Sequence, residues 1–396
     1  MAAGVSRSPL DAYRPTWAEV DLDLLLQNLK AIRGRVGALP ILAVVKANAY
    51  GHGAVEVARA LEGEGVAWLG VALPEEGLEL RQAGIKAPVL LLGGFAPRQA
   101  DLVLEHDLTP ALYRPDQLEA LAAAAERRGR RARAHLKVDT GMGRLGVPAD
   151  DVPAFASILK AAEPRVEVTG AFSHLAVADD PHDPFTRRQS DLLGRAIEAL
   201  RVHGLRPTAL HLANSAAIID HPPAWLTLVR PGIVLYGYAP SARVSPFPAR
   251  PILALKSRII YMKEIPAGAS LGYGRTYVAE RPVRVASLPL GYDDGLPRLV
   301  GNRGHVLVRG RRAPIIGRVS MDLTTIDVSQ IPEASLGDEA VVLGTSGAES
   351  LGADRIAEWA ETIPWEILCG IGSRVPRLYL RAGARAIVSR FAIPLA

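Results

Sequence analysis

The chain has little cysteine, little lysine and no long apolar run, and each shortage excludes something. A single cysteine, Cys369, in 396 residues rules out an intrachain disulfide and points to a reducing compartment. No apolar stretch approaches the roughly 20 residues of a membrane-spanning helix. The polar, proline-bearing start, Met1–Thr16, has no signal-peptide core. A cytoplasmic protein without a membrane partner is expected. Charge of one sign is lacking too, since 46 basic against 41 acidic residues leave a formal +5. The dense arginine runs, 127–131 and 309–312, carry no interleaved aromatics and read as solvated turns, not as a nucleic-acid surface. The sequence holds no P-loop, no metal-ligand spacing and no GxSxG nucleophile motif.

What is present is ample core material, 49% hydrophobic residues against 22% charged. At roughly 100–200 residues per domain, the length fits two domains, or one large domain with appendages. Apolar runs at Ile41–Ala47, Val66–Leu73, Pro88–Leu92, Thr109–Tyr113, Ala132–Asp139, Val168–His174, Ala209–Asn214 and Leu228–Tyr236 read as buried parallel strands. Amphipathic stretches separate them, and another, Asp21–Arg33, precedes the first. This alternation predicts a (β/α)8 TIM-like barrel over about 1–248, a fold that typically takes about 250 residues. A doubly wound open sheet is the alternative. Pro246, Pro248 and Pro251 mark a linker. Short strands follow it at Leu253–Met262, Val283–Pro289, His305–Val308, Ile315–Ile326 and Glu339–Leu343, with one helix, Asp354–Thr362. Residues 249–396 therefore read as a mostly β C-terminal domain.

Barrel enzymes carry their reactive groups at the C-terminal ends of the strands. That rule selects Lys46, Lys137 with Arg144, His174, Asn214-Ser215 and Arg230-Gly232. Only seven of the 46 basic residues are lysine, and two of them, Lys46 and Lys137, emerge from strands. An amine between apolar walls has its ammonium form disfavoured and can act as a Schiff-base nucleophile, which arginine cannot. Gly141–Gly146 matches GxGxxG, but it follows the fifth strand instead of the first, and Pro148 delays the next helix. A glycine-rich loop that lets Arg144 approach a ligand is the better reading. Ser215, at a helix start, and Gly232 suit a phosphate at the last two strand ends. A Schiff-base lysine and a phosphate cup on one barrel imply pyridoxal phosphate.

Over about Thr16 to Leu380 the sequence resembles the alanine racemase family of pyridoxal-phosphate enzymes. The motifs that carry the resemblance are Ala43-Val-Val-Lys-Ala-Asn-Ala-Tyr-Gly-His-Gly53, His135-Leu-Lys-Val-Asp-Thr-Gly-Met-Gly-Arg-Leu-Gly146, Ser173-His174, Ala213-Asn-Ser215, Val229-Arg-Pro-Gly-Ile233, Leu271-Gly-Tyr-Gly274, Gly291-Tyr-Asp-Asp-Gly295, Val319-Ser-Met-Asp322 and Arg374-Val-Pro-Arg377. The resemblance implies that Lys46 holds the cofactor covalently. Tyr50, Ser215, Gly232 and Ile233 would contact its phosphate, and Arg230 its pyridine nitrogen. His174 would support Arg230, and Arg144 would face the phenolic oxygen and the substrate carboxylate. A carbamylated Lys137 would position Arg144.

The resemblance also implies racemisation by two bases, Lys46 and Tyr273, supplying D-alanine for peptidoglycan. Tyr273, Met321 and Asp322 would come from the partner subunit of a homodimer, with Tyr292, Arg298, Arg318 and Ile371 at the entryway. A phenol, with a pKa near 10 in water, needs cationic neighbours to act as a base at neutral pH. One position departs from the family pattern: Ser373 stands where a tyrosine often precedes Arg-Val-Pro-Arg. A wider inner gate is the expected result. A broader-specificity amino-acid racemase, a barrel-fold decarboxylase and a non-catalytic pyridoxal-phosphate-binding protein are the competing functions.

Overall fold

The computed structural model describes residues 13–389, so the first part of the Met1–Thr16 segment lies outside the described residues. Strand β1 (Thr16–Asp21) leads into a helix over Leu22–Val36. After it come β2 (Leu42–Val44), β3 (Trp68–Val71), β4 (Val89–Leu91), β5 (Leu108–Leu112), β6 (Ala132–Asp139), β7 (Val147–Pro148), β8 (Val166–Phe172) and β9 (Ala209–His211). Strands β2, β3, β4, β5, β6, β8 and β9 lie side by side in that order and all parallel, with β7 a short addition to β6. Parallel strands covered on both faces can be apolar throughout, and every residue of β2, β4 and β5 is buried. The helices between them bury one stripe. In Pro115–Arg127, Leu118, Leu121, Ala122 and Ala125 are buried at i, i+3, i+4 and i+7.

The expected eighth strand, Leu228–Tyr236, is corrected. Its first residues close the barrel through a single parallel bridge, Ile41 to Val229. The Leu42 and Val44 N–H groups donate to the carbonyls of Val229 (2.9 Å) and Pro231 (3.0 Å). On the other side, the Arg230 N–H donates to the Ala213 carbonyl at 3.0 Å. Pro231 has no N–H to continue a ladder, and Ile233–Tyr236 turn into a fully buried 3-10 helix. The (β/α)8-type barrel is thus completed by a segment of minimal strand character.

A second unit is built from the described residues of Met1–Leu24, from Tyr50–Gly53 and from the chain after Pro251. Residues 13–24 therefore do not belong to the barrel, as the expected 1–248 boundary has it. Strand β1 is largely buried and sits in the middle of a sheet. It pairs antiparallel with Leu253–Arg258 and parallel with Arg377–Arg381. The expected single strand Leu253–Met262 is two strands, Leu253–Arg258 and Tyr261–Ile265. They part because the N–H groups of Ile259 and Ile260 donate to different segments, at Asp338 and Ser287. The expected strand Ile315–Ile326 keeps one bridge at Ile315 and a strand at Thr324–Asp327. Gly317, at φ +75°, breaks the run. No helix among the described residues is long and apolar enough to cross a membrane.

Within this unit the carboxylate of Asp294 is fully buried and receives two arginines. Arg14 pairs with both of its oxygens, Arg374 Nε donates to Oδ1 at 2.8 Å, and the Gly291 N–H donates to Oδ2 at 2.9 Å. Removing one partner of a buried pair strands the others. Because both guanidiniums keep some solvent contact, the expected loss in Asp294→Ala is about 2–3 kcal/mol of unfolding free energy, below the full cost of a dry pair. Denaturant titration of the purified variant checks this.

Candidate active site

Strand β2 ends two residues before Lys46, and the chain then enters a left-handed turn. Ala47, Asn48, Ala49 and Tyr50 all have φ between 52° and 54°. For residues other than glycine this costs roughly 1–2 kcal/mol each. The Glu76 carboxylate offsets part of that cost by accepting the Ala47 N–H at 2.6 Å, along with those of Ala72 and Leu73. The Asn48 side chain accepts the Ala54 N–H at 2.8 Å. A sharp turn held at both ends fixes the half-buried Lys46 at the strand end. Glu76 carried no sequence signal, because on its own helix it reads as an ordinary first-turn acid.

Phe172, the last residue of β8, gathers three groups around its ring. The Lys137 ammonium and the Arg230 guanidinium each lie 5.5 Å from its centroid, and His211 stacks on it at 4.7 Å with planes 7° apart. Lys137 Nζ donates to the Leu92 carbonyl at 2.9 Å. Burial first, and then the cations Arg144, Arg230 and Lys46, bring the Lys137 amine down to about 8, against the opposing pull of Asp139. The site is thus strongly cationic.

Arg230 is fully enclosed, and burial brings its guanidinium down to about 9, which leaves it charged at neutral pH. Its Nη1 donates to His211 Nδ1 at 3.0 Å. Its Nη2 donates to the carbonyls of Ser173 (2.8 Å) and Leu212 (3.0 Å) and more weakly to His174 Nδ1 (3.4 Å). His174, named from the sequence as the support of Arg230, is therefore the longer of two imidazole contacts. His211 was missed, although it too is a polar residue at the end of an apolar strand.

The glycine-rich loop after β6 wraps around a carboxylate. Asp139 Oδ1 accepts the N–H groups of Gly141 (2.9 Å) and Gly143 (3.1 Å), so those donors are taken and a dinucleotide phosphate has no cradle there. Arg144 stands exposed at the loop's end. Ser215 Oγ accepts the N–H of Gly232 at 2.9 Å and of Val234 at 3.4 Å, which brings Ser215, Gly232 and Ile233 together. Asn214 has a structural task, because its side chain accepts the Ala217 N–H at 3.1 Å and caps the helix Ser215–Asp220.

In the β-rich unit, Tyr50 is buried and burial pushes its phenol up. Tyr273 is 70% exposed on a turn between Ser270–Leu271 and Tyr277–Val278, a turn whose backbone lies against Arg318. Met321, Tyr292 and Asp322 are also exposed, as are Ser373 and Arg298, whereas Ile371 is buried. The Tyr292 N–H donates to Ser320 at 2.9 Å, and Arg374 donates to Asp322 at 2.7 Å, so these residues form one connected surface.

Comparison with known proteins finds a match to each part of the chain. Residues 20–240 fit the model of the alanine racemase N-terminal domain, and residues 252–379 fit that of the C-terminal domain. An alanine racemase of Symbiobacterium thermophilum is 46% identical over 93% of this chain and 98% of its own length. One from Sorangium cellulosum is also 46% identical, over 92% of this chain and 99% of its own. Among solved structures, alanine racemase of Clostridium difficile 630 superposes with a TM-score of 0.91 at 34% identity, covering 96% of this chain and 99% of that one. Alanine racemase of Bartonella henselae, described with covalently bound pyridoxal phosphate, gives 0.84 at 28% identity over 93% and 100%. Fold and sequence together define an enzyme of the amino-acid racemase class. Within that class, the chain belongs to the alanine racemase family.

Three histidines lie at or behind Arg230, His135 and His211 fully buried and His174 half-buried. Burial and the Arg230 charge lower His135 and His174 to about 3, and hold His211 well below its ordinary value of 6.5. Unfolded, each regains a pKa near 6.5, so the unfolded chain binds more protons as pH falls from about 6.5 towards 3. Stability should therefore decrease over that window, with a slope approaching about 4 kcal/mol per pH unit once all three are protonated in the unfolded chain. Denaturant titrations between pH 7.5 and 5.5, above the carboxylate range, should show the onset of this decline.

Proposed function

We propose that the protein is a pyridoxal-phosphate-dependent alanine racemase that works as a cytoplasmic homodimer and supplies D-alanine for peptidoglycan precursors. The observation that carries this reading is Arg230, a buried cation solvated by neutral acceptors, with Lys46 at the end of β2 and with Ser215, Gly232 and Ile233 gathered by the Ser215 hydroxyl. The residues fit the group. Lys46 would hold its carbonyl carbon, and Tyr50, Ser215, Gly232 and Ile233 would hold its phosphate. Arg230, backed by His211 and His174, would face its ring nitrogen. When bound, pyridoxal phosphate supplies a sink for the electron pair left at Cα when a proton departs.

A guanidinium there would donate a hydrogen bond without giving up its proton and would leave the ring nitrogen unprotonated, which would moderate the sink and restrain side reactions of a full carbanion. Asn214 supports the cup through its cap. Arg144 orients the substrate carboxylate, and Met321, with Asp322 and Arg374 beside it, adds a backbone N–H. Lys137, with its lowered amine pKa, is suited to carbamylation, which would turn a like-charge neighbour of Arg144 into an anion that holds it. Proton transfer falls to two groups. Once substrate has displaced it, Lys46 Nζ would take a proton from one face of Cα while Tyr273 Oη would deliver one to the other, and the reverse reaction would exchange their roles. The exposure of Tyr273, Met321 and Tyr292 supports their presentation to a partner subunit. The match of the chain to the family's C-terminal domain favours this reading over a barrel-only binding protein.

Starting from either pure enantiomer, the cofactor-loaded enzyme should converge on equal L- and D-alanine, and CO₂ or ammonia as the main product would overturn the reading. Tyr273→Ala should lose about 10²–10⁴-fold in proton abstraction from one enantiomer and much less from the other. Mixing Lys46→Ala and Tyr273→Ala subunits should restore part of the activity if sites are shared between subunits. At the gate, Ser373→Tyr should raise the alanine-to-serine ratio of kcat/KM by roughly 10-fold or more, the worth of a steric wall, and should tighten cofactor binding. An unchanged ratio would show that another residue closes the gate.

A further inference from the structure

Behind His211 lies a third histidine, His135, that the mechanism above does not use. His211 Nε2 is 2.9 Å from Nδ1 of His135, and both rings are fully buried. His135 sits over Gly170 of β8, where an added Cβ would come within 2.5 Å of Nδ1. Trp68 lies 5.1 Å away on one side, and Phe172 stacks on His211. Neither ring has room to turn. His135 Nε2 is buried and has no hydrogen-bond partner among the described residues.

The direction of each bond follows from what each group can donate. A guanidinium has only donors, so His211 Nδ1 must offer Arg230 a lone pair. A neutral imidazole with its lone pair on Nδ1 carries its proton on Nε2. That proton points at His135 Nδ1, which must accept it, and the His135 proton is driven to Nε2. We infer that His135 is a positioning residue: it accepts the His211 Nε2 proton, so the tautomer that presents an acceptor to the buried charge of Arg230 leaves no donor of His211 unpaired and is the one retained. Without His135, the tautomer that Arg230 favours would leave the His211 Nε2–H unpaired in the core, and the tautomer with its proton on Nδ1, which turns an N–H towards a guanidinium N–H, would compete. Arg230 would then lose one of the few neutral dipoles that solvate it and would shift or tilt in its seat. The effect on turnover rests on the reading of Arg230 as the cofactor-facing cation, but the tautomer itself does not.

The test is nitrogen-15 NMR of the protein labelled at histidine, with and without cofactor, assigned by single-histidine variants. Wild type should show His211 as one species, protonated on Nε2 and unchanged between pH 6 and 8. In His135→Leu, His211 should become a mixture of tautomers, and kcat for alanine should fall roughly ten-fold, the worth of one bond to a charged group, with KM little altered. His135→Asn, which places an amide oxygen near the lost Nδ1, should restore the single tautomer and most of the turnover. A wild-type His211 protonated on Nδ1 would overturn the proposal, whatever the activity. So would a His135→Leu variant in which His211 stays wholly protonated on Nε2. A locked tautomer in a protein that does not racemise alanine would instead refute the assigned function and leave the lock standing.

Discussion

Arg230 carries its charge into the barrel with no carboxylate among the described residues that contact it, and an ion so placed costs several kcal/mol unless dipoles replace the water it has lost. The Ser173 and Leu212 carbonyls and two imidazole nitrogens do that work. Each acceptor in turn imposes conditions. The carbonyls require β8 and β9 to end where they do, and the imidazoles must stay neutral in a setting that already disfavours their protonation. The ring that stacks on His211 also underlies Lys137, so one aromatic face serves both cations. Because nothing cancels the charge of Arg230, its field is available to whatever occupies the strand ends. A carboxylate there would have been easier to bury beside it and would have left less for a ligand.

The left-handed turn after Lys46 is the complementary device. It sets a backbone that few residues tolerate and restrains it from outside with a single carboxylate, Glu76. Strain of this kind persists only where the surroundings over-determine it, and here it gives a flexible side chain a fixed root. The amine can then move at its tip without the strand end moving with it.

Much of the barrel was legible because strands buried on both faces are written as unbroken apolar runs, and helices between them as one-sided stripes. The same signal misled where apolar meant buried but not extended. Ile233–Tyr236 lie in the core as a 3-10 turn, because Pro231 cannot donate and the Gly232 N–H is taken by Ser215. Strand β1 was illegible for the opposite reason, since its mixed sequence Thr-Trp-Ala-Glu-Val-Asp gives no continuous run. The strand-end rule selects Lys46, Lys137, His174, Ser215 and Arg230 because each is a polar residue that interrupts or ends an apolar segment. It could not find Asp294, whose importance rests on an arginine 280 residues away. Nor could it show that Asn214 is a helix cap before it is anything else.

The central position of β1 has a consequence for how the chain matures. Strand β1 pairs with Leu253–Arg258 and with Arg377–Arg381, both of which are made long after it. The barrel segments can collapse as they emerge, through contacts between neighbouring repeats. The β-rich unit must wait, holding β1, with its apolar Trp17, Ala18 and Val20, unpaired until Arg377–Arg381 is made. Non-local pairing of this kind folds slowly and leaves strand edges open to wrong partners. The interval of greatest exposure to aggregation for β1 therefore lasts until Arg377–Arg381 is made, and a product truncated before that strand would keep the exposure permanently.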